Sequence, residues 1–298
     1  MLDMRQLLAL KSLAETGSIV GAARALQWSQ PTVAHHLKTL GRTLGHPVVT
    51  SDSRGTVLSA TGQELLPFAV EILALATRAE RELQVSRGEK GTLRLGVLPS
   101  IGGGILPPAL RMLRDNGLLI TVLEAESNEL VALVASFAVD AAIVLAGPTL
   151  HERLPPAATF TFLMREKLML LLPLGHALAN RAAVSLADLA GESWVMSPDP
   201  DDPVDLALKR AAGRLNFEPG VSVLSDDYSV IQGYVAAGLG LALVPESALA
   251  GRRQDVAVAE ITDALFTRDL GVVIGAQAPR REASAVVDAL LALVASRG

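Results

Sequence analysis

SIVGAARALQWSQPTVAHHLKTLGRTL, residues 18–44, is the stretch on which the reading of this chain turns. Ser18 is a good N-cap for a short helix that brings Val20, Ala23 and Leu26 near one face. A second helix opens at Ser29, with Pro31 in its first turn, where a missing N–H does least harm. Trp28 and Val33 have the spacing of a hydrophobic staple, which fixes how the chain enters that helix. Val33, Leu37, Leu40 and Leu44 then recur at four, three and four, a single stripe to bury. The opposite face is Thr32, His35, Thr39 and Arg42, flanked by His36 and Lys38. Two short helices joined by a tight turn are a helix-turn-helix signature, and short polar and basic groups near a helix start suit a major-groove reader. Gln30 and Thr32 are placed to reach base edges, Lys38 and Arg42 to meet phosphates. The same spacing also fits the solvated face of an ordinary helical hairpin.

Upstream, Arg5 to Glu15 reads as a helix whose Leu7, Leu8, Leu10 and Leu13 cover the two others. Downstream, His46 to Ser59 is rich in β-branched residues around a turn at Ser53-Arg54-Gly55, which predicts a two-stranded wing. Arg54 at its tip is a candidate contact to phosphate or the minor groove, or else a solvated loop charge. Residues 1–62 hold six cations against three acids, a net +3. The whole chain is at −5, so the remainder carries −8. A small basic module on an acidic body suits a DNA reader fused to a sensor.

The length of 298 residues allows two or three domains with ample core. With no Cys, disulfides, thiolate metal sites and thiol nucleophiles are excluded, which fits a reducing cytoplasm. The longest apolar stretch, Val230 to Pro245, is too short and too Gly-rich to span a bilayer. The N-terminus lacks the pattern of a signal peptide, so none is expected.

Thr61-Gly62-Gln63-Glu64 has capping-box spacing, with Thr61 as N-cap. The helix it opens runs to about Arg87, and Leu65, Ala69, Ile72, Ala76, Ala79 and Leu83 recur strictly at four and three. That is an a/d seam on a helix of roughly 40 Å, too long for a compact domain without a partner helix. A homodimer contact is the expectation; a seam packed on its own body is the alternative. Residues 86–91, Ser-Arg-Gly-Glu-Lys-Gly, are a polar hinge and the boundary of a domain.

Beyond the hinge, strand-like and helix-like runs alternate: Thr92 to Leu98, Ile105 to Asn116, Leu118 to Glu124, Glu129 to Phe137, Ala141 to Leu145. This β-α-β arithmetic predicts a parallel or mixed sheet with helices on its faces. Further strands are read at Lys167 to Leu172, Trp194 to Met196, Val221 to Leu224, Leu241 to Val244 and Leu270 to Ala276. Helices are read near Val204 to Leu215, Ser229 to Ala237 and Arg281 to Ala295. Two α/β halves imply a cleft at the carboxyl ends of the strands. Ser100, Ile101 and Gly102 follow the first strand directly, where a hydroxyl and loop amides could hold an anionic group, or where a Gly-rich turn binds nothing. Ser127 and Asn128 end the second strand, and Ser197 and Ser225 are candidates from the other half. The acidic, Pro-rich loop from Ser197 to Asp205 reads first as a solvated helix start, with attraction of a cationic effector or a metal as the alternative. The five His are scattered without HxxxH or HExxH spacing, so neither a metal site nor a cofactor is indicated.

The chain resembles the LysR-type transcriptional regulators. The resemblance lies in Gly17-Ser18, Ala22-Ala23, Leu26, Ser29-Gln30-Pro31, Leu37, Leu40, Leu44-Gly45, Pro47, Leu58 and Thr61-Gly62, and continues in outline to the C-terminus. It implies a winged helix-turn-helix over 1–60, a dimerising linker helix and hinge over 61–90, and an effector-binding domain over 91–298. That domain resembles a type 2 periplasmic binding protein, with one subdomain at 91–162 and 267–298 and the other at 163–266. Chain crossings are expected near Thr161 to Glu166 and near Phe266 to Asp269. The implied partners are a double-stranded DNA operator, a small-molecule effector and a second copy in a homodimer or homotetramer, with no membrane. The implied DNA-binding set is Ser18, Ser29, Gln30, Pro31, Thr32, His35, His36, Lys38, Arg42 and Arg54, and the resemblance favours Ser100 and Ser127 among the effector candidates. Family members usually carry Ser-Arg where this chain has Ala34-His35, Glu where it has Gly41, and Phe and Arg where it has Val49 and Ser51. These departures fall on the expected reading surface and imply weaker binding or a different operator. Two other classes stay open: an enzyme, for which no G-x-S-x-G, P-loop or metal motif is present, and a solute-binding protein with a degenerate head.

Overall fold

The computed structural model describes residues 1–52, 55–86, 90–147, 149–262 and 266–296, with backbone alone for 51–52, 81–82 and 84–86. Residues 1–91 form one compact unit and nearly all of the rest a second.

Three capped helices make the first unit. Asp3 caps α1 (Met4–Thr16), accepting from the Arg5 amide at 2.8 Å. The Ser18 hydroxyl accepts from the Gly21 N–H at 3.0 Å and opens α2 (Ile19–Leu26); Ser29 accepts from the Thr32 N–H at 3.2 Å and opens α3 (Gln30–Leu44). Between them the chain turns at Gln27, whose φ of 56° reverses the backbone within a few residues. Leu7, Leu10 and Leu13 bury against Ala22, Ala23, Val33, Leu37 and Leu40, with Trp28 and Leu44 at the margin. The stripe on α3 is therefore buried as its spacing demands. The inward face of α2 is not the one read from the sequence: Val20 is 52% exposed and Ile19 packs on the core, because the cap at Ser18 phases 19, 22 and 23 inward.

The wing is β1 (Val49–Asp52) antiparallel to β2 (Gly55–Leu58), with Val49 opposite Leu58. Arg54 lies outside the described residues. The helix after it, α4 (Ala60–Ser86), begins before the expected cap. Its first-turn partner is Ser59, whose hydroxyl accepts from the Gly62 N–H at 3.1 Å and donates to the Pro47 carbonyl at 2.6 Å; Thr61 is already inside the helix. Glycine at 62 is required by this approach, since a Cβ there would lie 2.1 Å from the Val48 carbonyl oxygen. Gly41 serves the same strand base from α3: it is buried, and its Cβ position is 3.1 Å from the His46 carbonyl. Gly41 thus belongs to the packing of the head and leaves the reading face, contrary to expectation.

The a/d seam of α4 also needs correction. Ala69 is fully buried in the head's own core and Leu65 packs beside it with Leu73, so the start of the seam is spent within the chain. Among its described side chains, the large apolar ones that α4 leaves exposed are Phe68 (63%), Ile72 (38%), Leu75 (53%) and Leu83 (59%). Of the hinge, 87–89 lie outside the described residues.

The second unit is a mixed sheet flanked by helices. Its first lobe holds β3 (Thr92–Val97), α5 (Pro99–Gly102), α6 (Leu106–Asp115), β4 (Leu119–Glu124), α7 (Ser127–Ala135), β5 (Ala141–Ala146) and α8 (Leu150–Arg153). Strands β4, β3 and β5 are parallel neighbours, as the β-α-β reading requires. Next comes β6 (Thr159–Pro173), a single strand of 15 residues that runs through the region near Thr161 to Glu166 where the chain was expected to cross between subdomains. It stays intact by exchanging partners partway along. Its Thr159 to Lys167 half pairs with β12 (Thr267–Ile274), and its Leu168 to Pro173 half pairs with β10 (Ala242–Pro245) and β11 (Val256–Ile261). Since β12 also pairs with β5, the two lobes share one continuous sheet. The second lobe adds β7 (Ala183–Val184), β8 (Ser193–Met196), α9 (Pro203–Arg214), β9 (Gly220–Leu224) and α10 (Tyr228–Ala236); α11 (Arg280–Ala295) closes the chain on the first lobe. The two-residue β7 is too short to carry a period, and β11, VAVAEI, offers only small alternating groups, so neither was read. Trp194 is wholly buried among Leu168, Leu170 and Leu208 in the second lobe's core. No helix among the described residues is long and apolar enough to cross a membrane.

Candidate functional site

The exposed face of α3 is built by its own cap and stripe. Burying Val33, Leu37 and Leu40 turns Gln30, Pro31, Thr32, His35, Lys38 and Arg42 outward, all exposed. His36 is half-buried with its ring 5.2 Å from that of Trp28, and His35 stands edge-on to it at 5.8 Å. Ser29 shares its hydroxyl with Thr32, 2.8 Å away, and Ser18 is engaged as the α2 cap, so these two serines position the helices. Across α2 and α3 there are three cations, Arg24, Lys38 and Arg42, and no acid. A helix N-terminus adds its own partial positive charge to that face.

The second unit holds a cavity of about 640 Å³ at the carboxyl ends of the first-lobe strands. Ser100, Ser127 and Asn128 line it from one side, the Asp199 to Val204 loop and Tyr228 from the other. Ser100 is 3% exposed and its hydroxyl accepts from the Arg268 guanidinium at 2.6 Å. Arg268 also donates to Glu166 at 2.7 Å, and the second oxygen of Glu166 accepts from the Ser247 N–H at 3.0 Å. Register explains the pair: Arg268 of β12 is the direct cross-strand neighbour of Glu166 of β6. With side chains only 11% and 1% exposed, each charge depends on the other. Next along the strands, Arg165 and Asp269 form a more exposed pair at 2.6 and 2.8 Å, and the hydrogen bond from Arg165 holds the Asp269 carboxyl below its ordinary range.

Ser127 accepts from the Leu145 N–H at 3.0 Å, and Asn128 accepts from the Arg153 guanidinium. Four expected residues, Ile101, Gly102, Ser197 and Ser225, do not line the main cleft. Ile101 is completely buried, because α5 turns it into the lobe core, and Gly102 backs onto Glu124. Ser197 and Ser225 border a smaller recess of about 70 Å³ beside the cleft. Burial pushes the Asp205 carboxyl in this recess up to about 6; the Ser197 N–H, 2.8 Å away, works against that shift, and the charge of Asp202 adds to it. Glu126 and Asp202 are raised too, burial again being the main cause. Among the described residues no cluster of His, Asp and Glu is arranged to hold a metal ion.

Glu126, Arg153, Glu166, Tyr228 and Arg268 were missed by sequence reasoning. A signal existed for two of them: Glu166 and Arg268 lie in the short charged runs Arg165-Glu166-Lys167 and Arg268-Asp269 beside apolar strand sequence, and a charge carried into a sheet demands a partner. Nothing in the sequence identified that partner across 102 residues.

A winged helix-turn-helix with a basic, acid-free reading helix, followed by a two-lobed α/β unit with a ligand-sized cleft, defines a DNA-binding regulator that senses a small molecule. Residues 4–63 match the bacterial regulatory helix-turn-helix protein model of the lysR family, and residues 86–296 match the LysR substrate binding domain. The chain belongs to the LysR family of transcriptional regulators, which are not enzymes, and the enzymatic and solute-binding alternatives fall away. It is 32% identical over 295 residues to the small neutral protease regulatory protein of Streptomyces coelicolor, covering 97% of this chain and 86% of that one. It is 31% identical over 274 residues to the HTH-type transcriptional regulator TfdS of Cupriavidus pinatubonensis, covering 88% and 89%. The fold is similar to that of full-length CbnR complexed with its target DNA, at 22% identity and a TM-score of 0.68 over 98% of this chain and 99% of that one.

Proposed function

We propose that this protein is a cytoplasmic regulator that reads a partly palindromic operator through α3 and answers to a small effector held between the lobes of its body. Gln30, Thr32 and His35 read base edges, Lys38 and Arg42 meet phosphates, and the caps Ser18 and Ser29 hold the helices at the angle this needs. The observation that carries the reading is the joining, in one chain, of an acid-free exposed α3 to a cleft of about 640 Å³. The relative CbnR binds its target DNA as a full-length chain, which supports the same use of the head here.

Self-association through α4 gives the two half-sites their spacing. Phe68, Ile72, Leu75, Ala79 and Leu83 are the exposed apolar positions that support it, a seam that shares only its later members with the one read from the sequence. The effector, bound near Ser100, Ser127 and Asn128, changes operator occupancy by the difference between its affinities for the two states of the protein.

Genome-wide immunoprecipitation of DNA bound to the protein tests the reading. Discrete peaks sharing a dyad motif, sharpened or dispersed by growth condition, are the expected result. Absence of enrichment under every condition would overturn it.

A further inference from the structure

The exposed face of α3 carries two kinds of cationic donor. Lys38 and Arg42 hold a fixed charge, whereas an imidazole gains or loses its charge between about pH 5 and 8. His35 is exposed, with Thr32 one turn before it and Lys38 and Thr39 one turn after. Among the described residues its side chain has no hydrogen-bond or ion-pair partner. The ring that it meets is His36, edge-on at 5.8 Å, and His36 is itself held against Trp28 at 5.2 Å. The outer ring is thus oriented by the inner one while both of its own nitrogens stay free.

The free head offers a proton on that ring no described counter-charge. Helices α1 and α2 and strand β1 pack on α3 at its buried stripe, opposite His35. Their charged side chains are Arg5, Lys11, Glu15 and Arg24, with Asp3 capping α1; the side chain of Asp52 in β1 lies outside the described residues. Glu15 is paired with Lys11 at 3.4 Å, and Asp3 accepts from the Arg5 amide. On α3 itself the charged groups are Lys38, Arg42 and the two imidazoles, with no acid among them. A docked duplex supplies what is missing, phosphates along the groove walls and base edges on its floor. A cationic imidazole has two N–H donors and no acceptor. Guanine matches it, since its major-groove edge offers two adjacent acceptors, N7 and O6, whereas adenine sets an amino donor beside N7.

We infer that His35 determines specificity by reading a guanine in its protonated form, so that each head takes up a proton on docking and discrimination of the operator rises as pH falls. The inference rests on the reading of α3 as the base-contacting helix. Linkage sets the sign: DNA that binds the protonated ring better raises its proton occupancy, so the gain in affinity grows toward low pH and is lost as pH rises. Lys38 and Arg42 keep their charge throughout, so the phosphate contacts shared with any duplex change little.

The test is fluorescence anisotropy with the full chain at about pH 6, 7 and 8 and fixed ionic strength. The probes are a duplex bearing the dyad motif recovered by immunoprecipitation and a random-sequence duplex of the same length. From pH 8 to pH 6 operator affinity should rise about tenfold, and random-duplex affinity by less than about twofold. His35→Gln should flatten the operator profile at its weak, high-pH level, and His35→Arg should flatten it at its tight, low-pH level. Both variants should melt with the parent, because the exposed His35 side chain belongs to no core cluster. His46→Gln, at another exposed imidazole of the head, should keep the slope. Changing each G·C pair of a half-site to A·T in turn should find one position that removes it. A flat parent profile, an equal rise on both duplexes, or a slope that no G·C change removes would overturn the proton-linked guanine contact. His35→Gln weakened equally at low and high pH would overturn the proton and leave His35 on the reading face. His35→Gln unchanged at every pH would overturn both.

Discussion

In the head, the groups proposed to face DNA lie between Gln30 and Arg42 on one helix, whereas in the body Ser100, Glu166, Ser247 and Arg268 meet across gaps of up to 168 residues. The first arrangement follows from one cap and one stripe. The second exists only while β6 and β12 keep their register, because a one-residue slip would turn Arg268 away from Glu166. Damage to the head should therefore be local and graded, and damage to the body's crossing strands should be cooperative. The two Trp residues, Trp28 in the head and Trp194 in the body, allow each unit to be followed alone in single-Trp variants.

The comparison breaks most visibly at Glu166. Glu166→Ala leaves Arg268 buried without its partner and should cost the body about 3–5 kcal/mol, read by urea unfolding of a Trp28→Phe chain, with DNA-free head stability unchanged. Pairing it with Arg268→Met should recover most of that loss; failure to recover would mean that the pair is not the source. In the head, Leu37→Ala should cost about 2–5 kcal/mol by opening a cavity in a small core, followed through Trp28 in a Trp194→Phe chain.

Finer effects separate the roles on α3. Thr32→Ala should lose about 1–3 kcal/mol on the operator and little on random DNA, while Lys38→Ala should weaken both and lower the salt slope by about 0.9. Equal losses for both variants on both DNAs would deny the division of labour along the helix.

Smallest is a pH effect confined to the body. The folded pKa of Asp205 is raised to about 6 from an ordinary 3.8, so its favourable contribution is complete below the unfolded value and disappears as pH rises through 6. Asp205→Asn should then stabilise the body by on the order of 1 kcal/mol at pH 7.5, with the advantage shrinking toward pH 4. A gain that does not change with pH would trace to packing instead.

What was legible divides along the same line. The caps Ser18 and Ser29, the α3 stripe and the wing were readable because capping and periodicity act over a few residues. Errors in the head came where a neighbour overrode the local pattern: Ser59 replaced Thr61 as cap because Pro47 holds its hydroxyl, and Leu65 and Ala69 left the seam because α1 offered them a core. In the body, strand ends pointed to Ser100, Ser127 and Asn128, which line the cleft, but also to Ile101 and Gly102, which do not. The rule finds the loop and says nothing about which of its side chains faces inward.

By itself, then, the order of residues determined the helix-turn-helix, the α/β alternation, the charge asymmetry and the family, all properties of contiguous runs. Tertiary structure alone decided that β6 is one strand serving two lobes, that Arg268 meets Glu166 and Ser100, and that five carboxylates and Tyr228 share one recess. Those depend on strand register and on which helix starts converge, and such long-range pairings leave no period in the sequence to read.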